Sequence, residues 1–201
     1  MLKQRNPDQT RYELLQAAMQ EIYQYGFKGA SLKRILEQTS VTKGALYHHF
    51  ATKQALGYAV VDELIAEYMQ QFWIKPLNEC DDPIEATWTA IKQTYKDHGE
   101  EFVQFGCPMN NLSQEMSATD EGFRQRVNGL HEKWEDALAG ALERGKDKGI
   151  IKEEINTQQT ALFVIASIDG CIGIAKTKQS HSTLISCNNA LQLYLKSLRR
   201  A

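Results

Sequence analysis

The segment from Ser31 to Lys53 contains side chains that can bind phosphate groups and the edges of nucleic-acid bases. Lys33, Lys43 and Tyr47 can all donate hydrogen bonds to phosphate oxygens. Lys43 can also donate to the O6 and N7 atoms of a guanine, and His48 adds a planar ring. These groups act together only if a local fold presents them on one surface.

The spacing of apolar residues in this segment predicts two short helices separated by a break at residues 39–41. Ser31 and Thr42 are favourable N-cap residues for the two helices. A helix-turn-helix has this form, because its second helix packs with one face and enters a major groove with the other. The side chains expected to pack inward are Ile35, Leu36, Val41, Leu46 and Phe50.

Charge is divided unevenly along the 201 residues. The whole chain contains 23 Lys and Arg and 25 Asp and Glu residues, a net charge of -2. Residues 1–53 contain eight basic and four acidic side chains, a net charge of +4, whereas the remainder carries -6. A near-neutral total argues against a nucleic-acid partner, but this division gives the electrostatic footprint that DNA binding requires.

Apolar residues recur at spacings of three and four along the whole chain, with only four prolines between them. We therefore predict an all-α fold. The first helix is expected to begin near Asp8 and end at Gly26, and a long helix is expected from Lys53 towards Trp73. Further helices are expected at about 83–99, 108–116, 121–148, 157–178 and 184–199.

Cysteine and histidine spacing indicates no metal site, and no glycine-rich phosphate loop is present, so we expect no cofactor. Cys80, Cys107, Cys171 and Cys187 lack the density of a secreted disulfide scaffold. With 42% hydrophobic residues, the chain has an ordinary globular composition. It shows no signal-peptide pattern and no run of about 18 apolar residues, so we expect a cytoplasmic location and no membrane partner.

The run Val41–Phe50, VTKGALYHHF, is followed by TKQAL at Thr52–Leu56 and resembles the recognition-helix signature of TetR/AcrR-type bacterial transcriptional regulators. The resemblance extends over the first third of the chain. It implies a homodimeric regulator, a repressor or less often an activator, that binds a palindromic operator in double-stranded DNA and responds to a small-molecule effector. The DNA contacts that it implies are Lys33, Thr42, Lys43, Gly44, Tyr47, His48 and Lys53.

The resemblance also divides the chain into two parts. Residues 1–54 would form a three-helix DNA-binding head containing the helix-turn-helix. A long helix would join this head to residues 55–201, a helical domain for effector binding and dimerisation. The sequence departs from the family pattern at Ser40, where glycine is usual. In a left-handed conformation the Cβ of Ser40 would cost about 1 kcal/mol, so we expect a softer turn with unchanged DNA contacts.

The last two helices resemble the dimerisation pair of the family. The stretch 165–176 is apolar on more than one face and contains glycines that allow close helix approach. The alternative is a core helix of a monomer. The residues expected at a four-helix dimer interface are Ile165, Ile168, Gly170, Ile172, Gly173, Leu191 and Leu195.

Cys107 precedes Pro108 at the expected start of a helix, where the helix dipole would lower the pKa of its thiol. Some family members have a Gly-Cys pair at this helix start, and these include regulators that respond to electrophiles or oxidants. The alternative is that Cys107 is a small buried hydrophobic residue. The candidate effector or thiol-sensor residues are Cys107, Trp88, Tyr95, Asn110, Asn111, Gln114 and Lys176.

A thiol-dependent redox enzyme using Cys107 is the competing functional class. Such enzymes place the Cys-Pro pair after a strand in a βαβ unit, and no strand pattern precedes Cys107. We therefore expect no enzymatic activity. The sequence does not indicate the identity of the effector, the operator sequence, the regulated genes or the number of dimers on each operator.

Overall fold

A computed structural model describes residues 6–200 of the chain and confirms the all-α fold. Within those residues the one strand-like feature is an isolated bridge between Ile151 and Arg199. The helices are α1 (Pro7–Gly29), α2 (Leu32–Glu37), α3 (Lys43–His49), α4 (Lys53–Ala59), α5 (Ala66–Met69), α6 (Lys75–Glu79), α7 (Pro83–Phe105), α8 (Pro108–Met116), α9 (Glu121–Asp147), α10 (Thr157–Lys178) and α11 (His181–Ser197). π-Helical turns occupy Val60–Ile65 and Gln70–Ile74.

The described residues form two compact units. Unit 1 contains residues 6–67 and 111–128, and unit 2 contains residues 68–110 and 129–200. The packed unit around the helix-turn-helix is therefore larger than the expected head, because residues 55–67 and 111–128 pack with it.

Short polar side chains begin several helices at the predicted positions. The hydroxyl of Thr42 accepts a hydrogen bond from the backbone N–H of Ala45, at 3.2 Å, and Thr52 caps α4 in the same way. Asn156 caps α10. Ser31 differs from the prediction, because its side chain makes no capping hydrogen bond.

Two helix boundaries differ from the predicted ones. Helix α7 continues past Gly99 to Phe105 and ends where Gly106 adopts a φ of 87°. Helix α11 begins at His181, three residues before the predicted start, because the Ser180 hydroxyl accepts the N–H of Thr183.

The core of unit 1 is built from the predicted apolar positions. Ile35, Val41, Leu46 and Phe50 are buried as expected, while Leu36 is half-buried. They pack beside an apolar stripe of α1, whose fully buried members are Leu14, Leu15 and Ala18. The interior faces of α2 and α3 therefore hold the helix-turn-helix on α1.

Helix α1 is interrupted at Gly26, which has φ 72° and ψ 166°. The predicted end of the first helix at Gly26 thus coincides with the break in the structure. The break frees the backbone N–H groups of Phe27 and Lys28, and both donate to the carboxylate of Glu115 at 2.7 Å. A Cβ at Gly26 would lie 2.8 Å from Oε2 of Glu115, so both conformation and space require glycine here.

Phe27 anchors the chain after this break. Its ring centroid lies 4.6 Å from that of Phe123 on α9. Gly57 on α4 makes the close packing possible, since a Cβ there would lie 2.5 Å from Cε2 of Phe27. We call this set of contacts among Gly26, Phe27, Gly57, Glu115 and Phe123 the Phe27 junction. It brings α1, α4, α8 and α9 together within unit 1.

In unit 2, α7, α10 and α11 pack against one another. Ala161, Val164 and Ala175 of α10 are fully buried there. By length and composition alone α10 would be apolar enough to cross a membrane. Its packing against α7 and α11 provides a different reason for this apolar character.

Candidate functional site

Six of the seven predicted DNA-contact residues are exposed on or beside the helix-turn-helix of unit 1. Lys33 lies on α2, Thr42 at the start of α3, and the other four on α3 itself. An open groove between α2 and α3 is bordered by Lys33, Lys43 and Tyr47. The exposed residues are Lys33, Thr42, Lys43, Gly44, Tyr47 and His48.

The two exposed lysines of this surface are weakly engaged within the protein. The ammonium of Lys43 lies 6.0 Å from the ring centroid of Tyr47. Lys33 pairs with Glu37 at 3.7 Å, but its side chain is 85% exposed. A surface pair of this kind contributes little to stability, so both cations are available to an anionic partner.

Gly44 stands in open space at the N-terminal turn of α3. A Cβ at this position would meet only the hydroxyl oxygen of Thr42, at 4.0 Å. No contact within the protein therefore requires glycine. On the solvent-facing side of α3, the missing side chain of Gly44 lets another molecule approach the backbone closely.

Lys53 is the seventh predicted contact, and it is half-buried. Its ammonium donates to the carbonyl oxygen of Lys28, at 3.2 Å, and lies 4.8 Å from the ring centroid of Phe27. Burial lowers the pKa of Lys53. One of its three N–H donors is thus used to hold the end of α1, which leaves two for a phosphate.

A buried carboxylate positions α2. Oε1 of Glu21 on α1 accepts the backbone N–H of Ser31 at 2.9 Å and Nε of Arg34 at 2.6 Å. The side chain of Glu21 is fully buried, and its hydrogen bond raises the pKa of Arg34. Sequence analysis missed this role of Glu21. The observation that could have revealed it is that Glu21 is an acidic residue among the apolar residues of the buried stripe of α1.

The turn between α2 and α3 is also fixed by a carboxylate. Ser40 donates to Oε1 of Glu13 from its backbone N–H, at 2.9 Å, and from its hydroxyl, at 3.2 Å. Among the described residues, the one non-glycine residue with positive φ is Gln179. The expectation of a strained, left-handed Ser40 is therefore wrong, because the turn is formed without that conformation.

A further ion pair joins α1 to the π-helical turn after α4. The guanidinium of Arg11 makes two hydrogen bonds with the carboxylate of Glu63, one of them at 2.5 Å. This pairing raises the pKa of Arg11 and lowers that of Glu63. Arg11 also lies over the ring of Phe50. Its charge is therefore engaged by the protein.

The predicted effector residues are distributed over both units. Asn111 and Gln114 belong to unit 1, and the other five belong to unit 2. Unit 2 contains a cleft between α7, α10 and α11, and Tyr95 lines it together with Trp73, Thr94 and Phe102. Cys107 and Trp88 are half-buried. The cleft therefore includes one predicted effector residue, Tyr95, and two residues predicted at the dimer interface, Ile168 and Ile172.

The expected lowering of the Cys107 pKa is wrong. Burial and the neighbouring negative charge of Asp169 raise the pKa of this thiol to about 12. Hydrogen bonds from the backbone at the start of α8 act in the opposite direction but are weaker. At neutral pH, Cys107 is therefore a protonated thiol.

Sequence analysis missed three buried polar residues of unit 2. The hydroxyls of Tyr68 and Thr94 and Oδ1 of Asp169 are buried without a hydrogen-bond partner among the described residues. Asp169 gave a signal, because it is a carboxylate within the most apolar stretch of the chain. Tyr68 and Thr94 gave none, since both lie on amphipathic helices. Within residues 6–200, no three His, Cys, Asp or Glu side chains form a candidate metal site.

Two family models match the chain and together cover both of its parts. Residues 14–60 match the model of bacterial regulatory proteins of the tetR family. Residues 85–191, more than half of the chain, match the tetracyclin repressor-like C-terminal domain. The chain belongs to the TetR family. It is therefore a DNA-binding transcriptional regulator, as the signature around α3 predicts.

TetR-family relatives match nearly the full length of the chain. The repressor AcnR of Corynebacterium efficiens is 25% identical over 96% of this chain and 95% of its own. Reduced Escherichia coli NemR superposes with a TM-score of 0.81 at 26% identity, covering 96% of this chain and 97% of that one. A TetR regulator from Chloroflexus aurantiacus has the same fold, with a TM-score of 0.85 at 23% identity over 97% and 98% of the two chains.

TetR-family regulators act as dimers. In this structure, most of the residues predicted at the dimer interface are buried inside unit 2 and so cannot contact a partner. Five of the seven predicted interface residues are at most 6% exposed and form the interior of unit 2: Ile165, Ile168, Ile172, Leu191 and Leu195. Gly170 is exposed and Gly173 half-buried, and a Cβ on either would meet nothing within 4 Å. The exposed large apolar side chains of α10 and α11 are instead Leu162, Phe163, Ile174, Ile185 and Leu193.

Replacing Ser40 with the family's usual glycine is expected to lower the free energy of unfolding by about 1 kcal/mol. The substitution removes the hydroxyl bond to Glu13 and adds conformational freedom to the unfolded chain. Urea titration of both proteins measures the difference. Ser40→Ala, which removes only the hydroxyl, should lose less. An increase in stability for Ser40→Gly would show that Ser40 is strained after all.

Proposed function

We propose that this TetR-family protein is a repressor that binds a palindromic operator as a homodimer and leaves it when a small molecule binds in unit 2. The observation that carries the proposal is the surface formed by the exposed residues of α2 and α3. It combines cations, a hydroxyl and planar rings on the helix that matches the family's recognition signature. The name of AcnR as a repressor supports this direction of regulation.

The proposed DNA contacts follow from the chemistry of each side chain. Lys43 donates to a guanine edge or a phosphate, and Gly44 allows close approach of the backbone. Tyr47 and His48 reach phosphates, as does Thr42 if its hydroxyl donates while it caps α3. Lys33 and Lys53 supply point charges along the DNA backbone.

Operator release is proposed to be a shift between two states of the dimer. The recognition helices of a helix-turn-helix dimer fit successive major grooves when they lie about 34–36 Å apart. An effector that binds more tightly to a dimer with a different spacing moves the population away from the DNA-bound state. The size of this shift is limited by the difference in effector affinity between the two states.

The effector is proposed to bind reversibly. An electrophile acting on Cys107 was the sequence-based hypothesis, and a pKa of about 12 argues against it, because the thiolate is the reactive form. The redox-enzyme alternative also lacks support, since the segment before Cys107 is helix α7 rather than a strand. Transcription regulators of this family are usually not enzymes.

The exposed apolar side chains of α10 and α11 are proposed to form the dimer interface. Phe163, Gly170 and Ile174 are spaced by seven and four residues and so lie on one exposed stripe of α10, where the missing side chain of Gly170 allows a second helix to approach closely. On α11, Leu193 is 69% exposed. Burial in a dimer explains the apolar surface of α10 without a membrane, which agrees with the proposed cytoplasmic location.

Removing the ammonium of Lys43 is expected to reduce discrimination between operator and unrelated DNA by about tenfold or more, because base-edge contacts carry sequence information. Removing that of Lys33 should weaken binding to all DNA alike. It should also reduce the salt dependence by about one counterion for each head. Fluorescence anisotropy over a salt series, with an operator selected from random DNA, measures both effects.

The matched control is Lys96→Ala, which removes an exposed lysine of unit 2. Equal loss of discrimination in Lys33→Ala and Lys43→Ala would contradict these roles.

Leu193→Glu is expected to raise the dimer dissociation constant by about a hundredfold or more, because it places an unpaired charge in an apolar interface. Sedimentation equilibrium measures the constant. Thr89→Glu adds the same charge at an exposed position of α7 and should leave the dimer intact. A Leu193→Glu protein that remains as dimeric as the Thr89→Glu protein would place the interface elsewhere.

Alkylation of Cys107 by N-ethylmaleimide is expected to be slow at neutral pH and to accelerate about tenfold for each pH unit between about pH 7 and 9, since the thiolate fraction of a thiol with a raised pKa rises in that proportion. Mass spectrometry of peptides containing Cys107 follows the reaction, and operator affinity is measured in parallel. The reversible-effector proposal fails if N-ethylmaleimide rapidly releases the wild-type protein from DNA at pH 7 but does not release the Cys107→Ser variant.

A further inference from the structure

The backbone that follows the break in α1 makes hydrogen bonds on two sides. On one side, the N–H groups of Phe27 and Lys28 donate to the two carboxylate oxygens of Glu115, each at 2.7 Å. On the other side, the carbonyl oxygen of Lys28 accepts a hydrogen bond from the ammonium of Lys53, at 3.2 Å. The backbone of residue 28 therefore joins a carboxylate on α8 to a cation at the start of α4.

Glu115 supplies the acceptors that the interrupted helix cannot. In a continuous helix the N–H groups of residues 27 and 28 would donate to carbonyl oxygens one turn earlier. The break at Gly26 prevents this, and Glu115 accepts both groups instead. Backbone donors removed from water without an acceptor are costly, so loss of the carboxylate would displace this segment rather than leave it in place.

The position of the Lys53 ammonium depends on the same segment. Besides its bond to the carbonyl of Lys28, the ammonium lies 4.8 Å from the ring centroid of Phe27. Both partners belong to the segment that Glu115 holds. A lysine side chain loses much rotamer freedom when it is held in one place, and here it is held before any DNA arrives.

We propose that Glu115 is a positioning residue for operator binding: by holding the backbone of Phe27 and Lys28, it keeps the ammonium of Lys53 where it donates to a DNA phosphate. This inference rests on the proposed function, which makes Lys53 a phosphate contact. Two of the three N–H donors of Lys53 remain for that phosphate. Because the side chain is arranged in advance, less freedom is lost on binding and the affinity for DNA is higher.

The sign of the effect separates positioning from charge. Glu115 is an acidic residue in the unit that meets a polyanion, so electrostatics alone predicts that its neutralisation strengthens DNA binding. Positioning predicts the opposite result. An amide in place of the carboxylate has an oxygen for one of the two N–H groups, but its NH₂ group is a donor and cannot accept the other.

Glu115→Gln in the full-length dimer is expected to weaken operator binding by about five- to tenfold, because two heads each lose a side chain arranged in advance. The salt dependence should stay near that of the wild type, since Lys53 still displaces a counterion. Fluorescence anisotropy over a salt series measures both. The matched control is Glu67→Gln, at an exposed position of α5, which should bind at least as tightly as the wild type.

A double-mutant cycle separates positioning from a general loss of structure. Lys53→Met removes the ammonium, and in that background Glu115→Gln should change operator affinity by less than about twofold. A loosened head would instead bind DNA more weakly in both backgrounds. Hydrogen exchange followed by NMR checks the contact itself. In Glu115→Gln the N–H groups of Phe27 and Lys28 should exchange at least about tenfold faster, whereas those of residues 14–22 keep wild-type rates.

Glu115→Asp is a milder variant that keeps the charge and shortens the side chain. It should also weaken operator binding, because the shorter carboxylate cannot reach both N–H groups at 2.7 Å. A charge effect alone would leave its affinity unchanged.

Three results would overturn the positioning role. They are wild-type or tighter binding by Glu115→Gln, an equal loss in the presence and absence of the Lys53 ammonium, and wild-type affinity and salt dependence in Lys53→Met. If the wild-type dimer still selects an operator in these cases, the proposed regulatory function stands and only the role of Glu115 is wrong. If the intact dimer selects no DNA sequence, the proposed function itself fails.

Discussion

The helical break at Gly26 is the constraint on which the DNA-binding unit depends. By leaving the helical path there, α1 exposes two backbone N–H groups that only a partner outside the helix can satisfy, and Glu115 supplies both acceptors. The same break turns Phe27 into the space above Gly57, against Phe123. Four helices distant in sequence meet at this one point. The end of α1 is therefore fixed against α4, α8 and α9 where the chain leaves it for α2.

Carboxylates complete what apolar packing begins. Glu21 fixes the start of α2 and Glu13 fixes the turn before α3. Periodicity predicts the helices of this unit, their buried faces and the exposed face of α3, because each depends on neighbours three or four residues apart. It cannot predict the two carboxylate contacts, which join residues 10 and 27 positions apart. The strain expected at Ser40 was wrong for this reason, since the turn is held from α1.

In unit 2, sequence patterns locate helices better than they locate surfaces. The apolar character of α10 is evident from composition, but apolar side chains point both inward and outward from it. Composition alone could not separate Ile168, which is buried, from Ile174, which is exposed. The cleft of unit 2 was harder still to predict, because its lining residues come from α7, α10 and α11. A pKa presents the same difficulty: a helix start favours a reactive Cys107, but the burial and charge that oppose it come from tertiary structure.

Both arginines in the described part of the head form ion pairs within the protein, and this limits their contribution to sequence-independent binding of DNA. The guanidinium groups of Arg11 and Arg34 are paired with the carboxylates of Glu63 and Glu21, so they add little to the net positive charge that the head presents to DNA. Non-specific affinity depends on how many counterions the cations displace. In the described part of the head, attraction to DNA of any sequence therefore depends on exposed lysines, Lys28, Lys33 and Lys43, rather than on arginine.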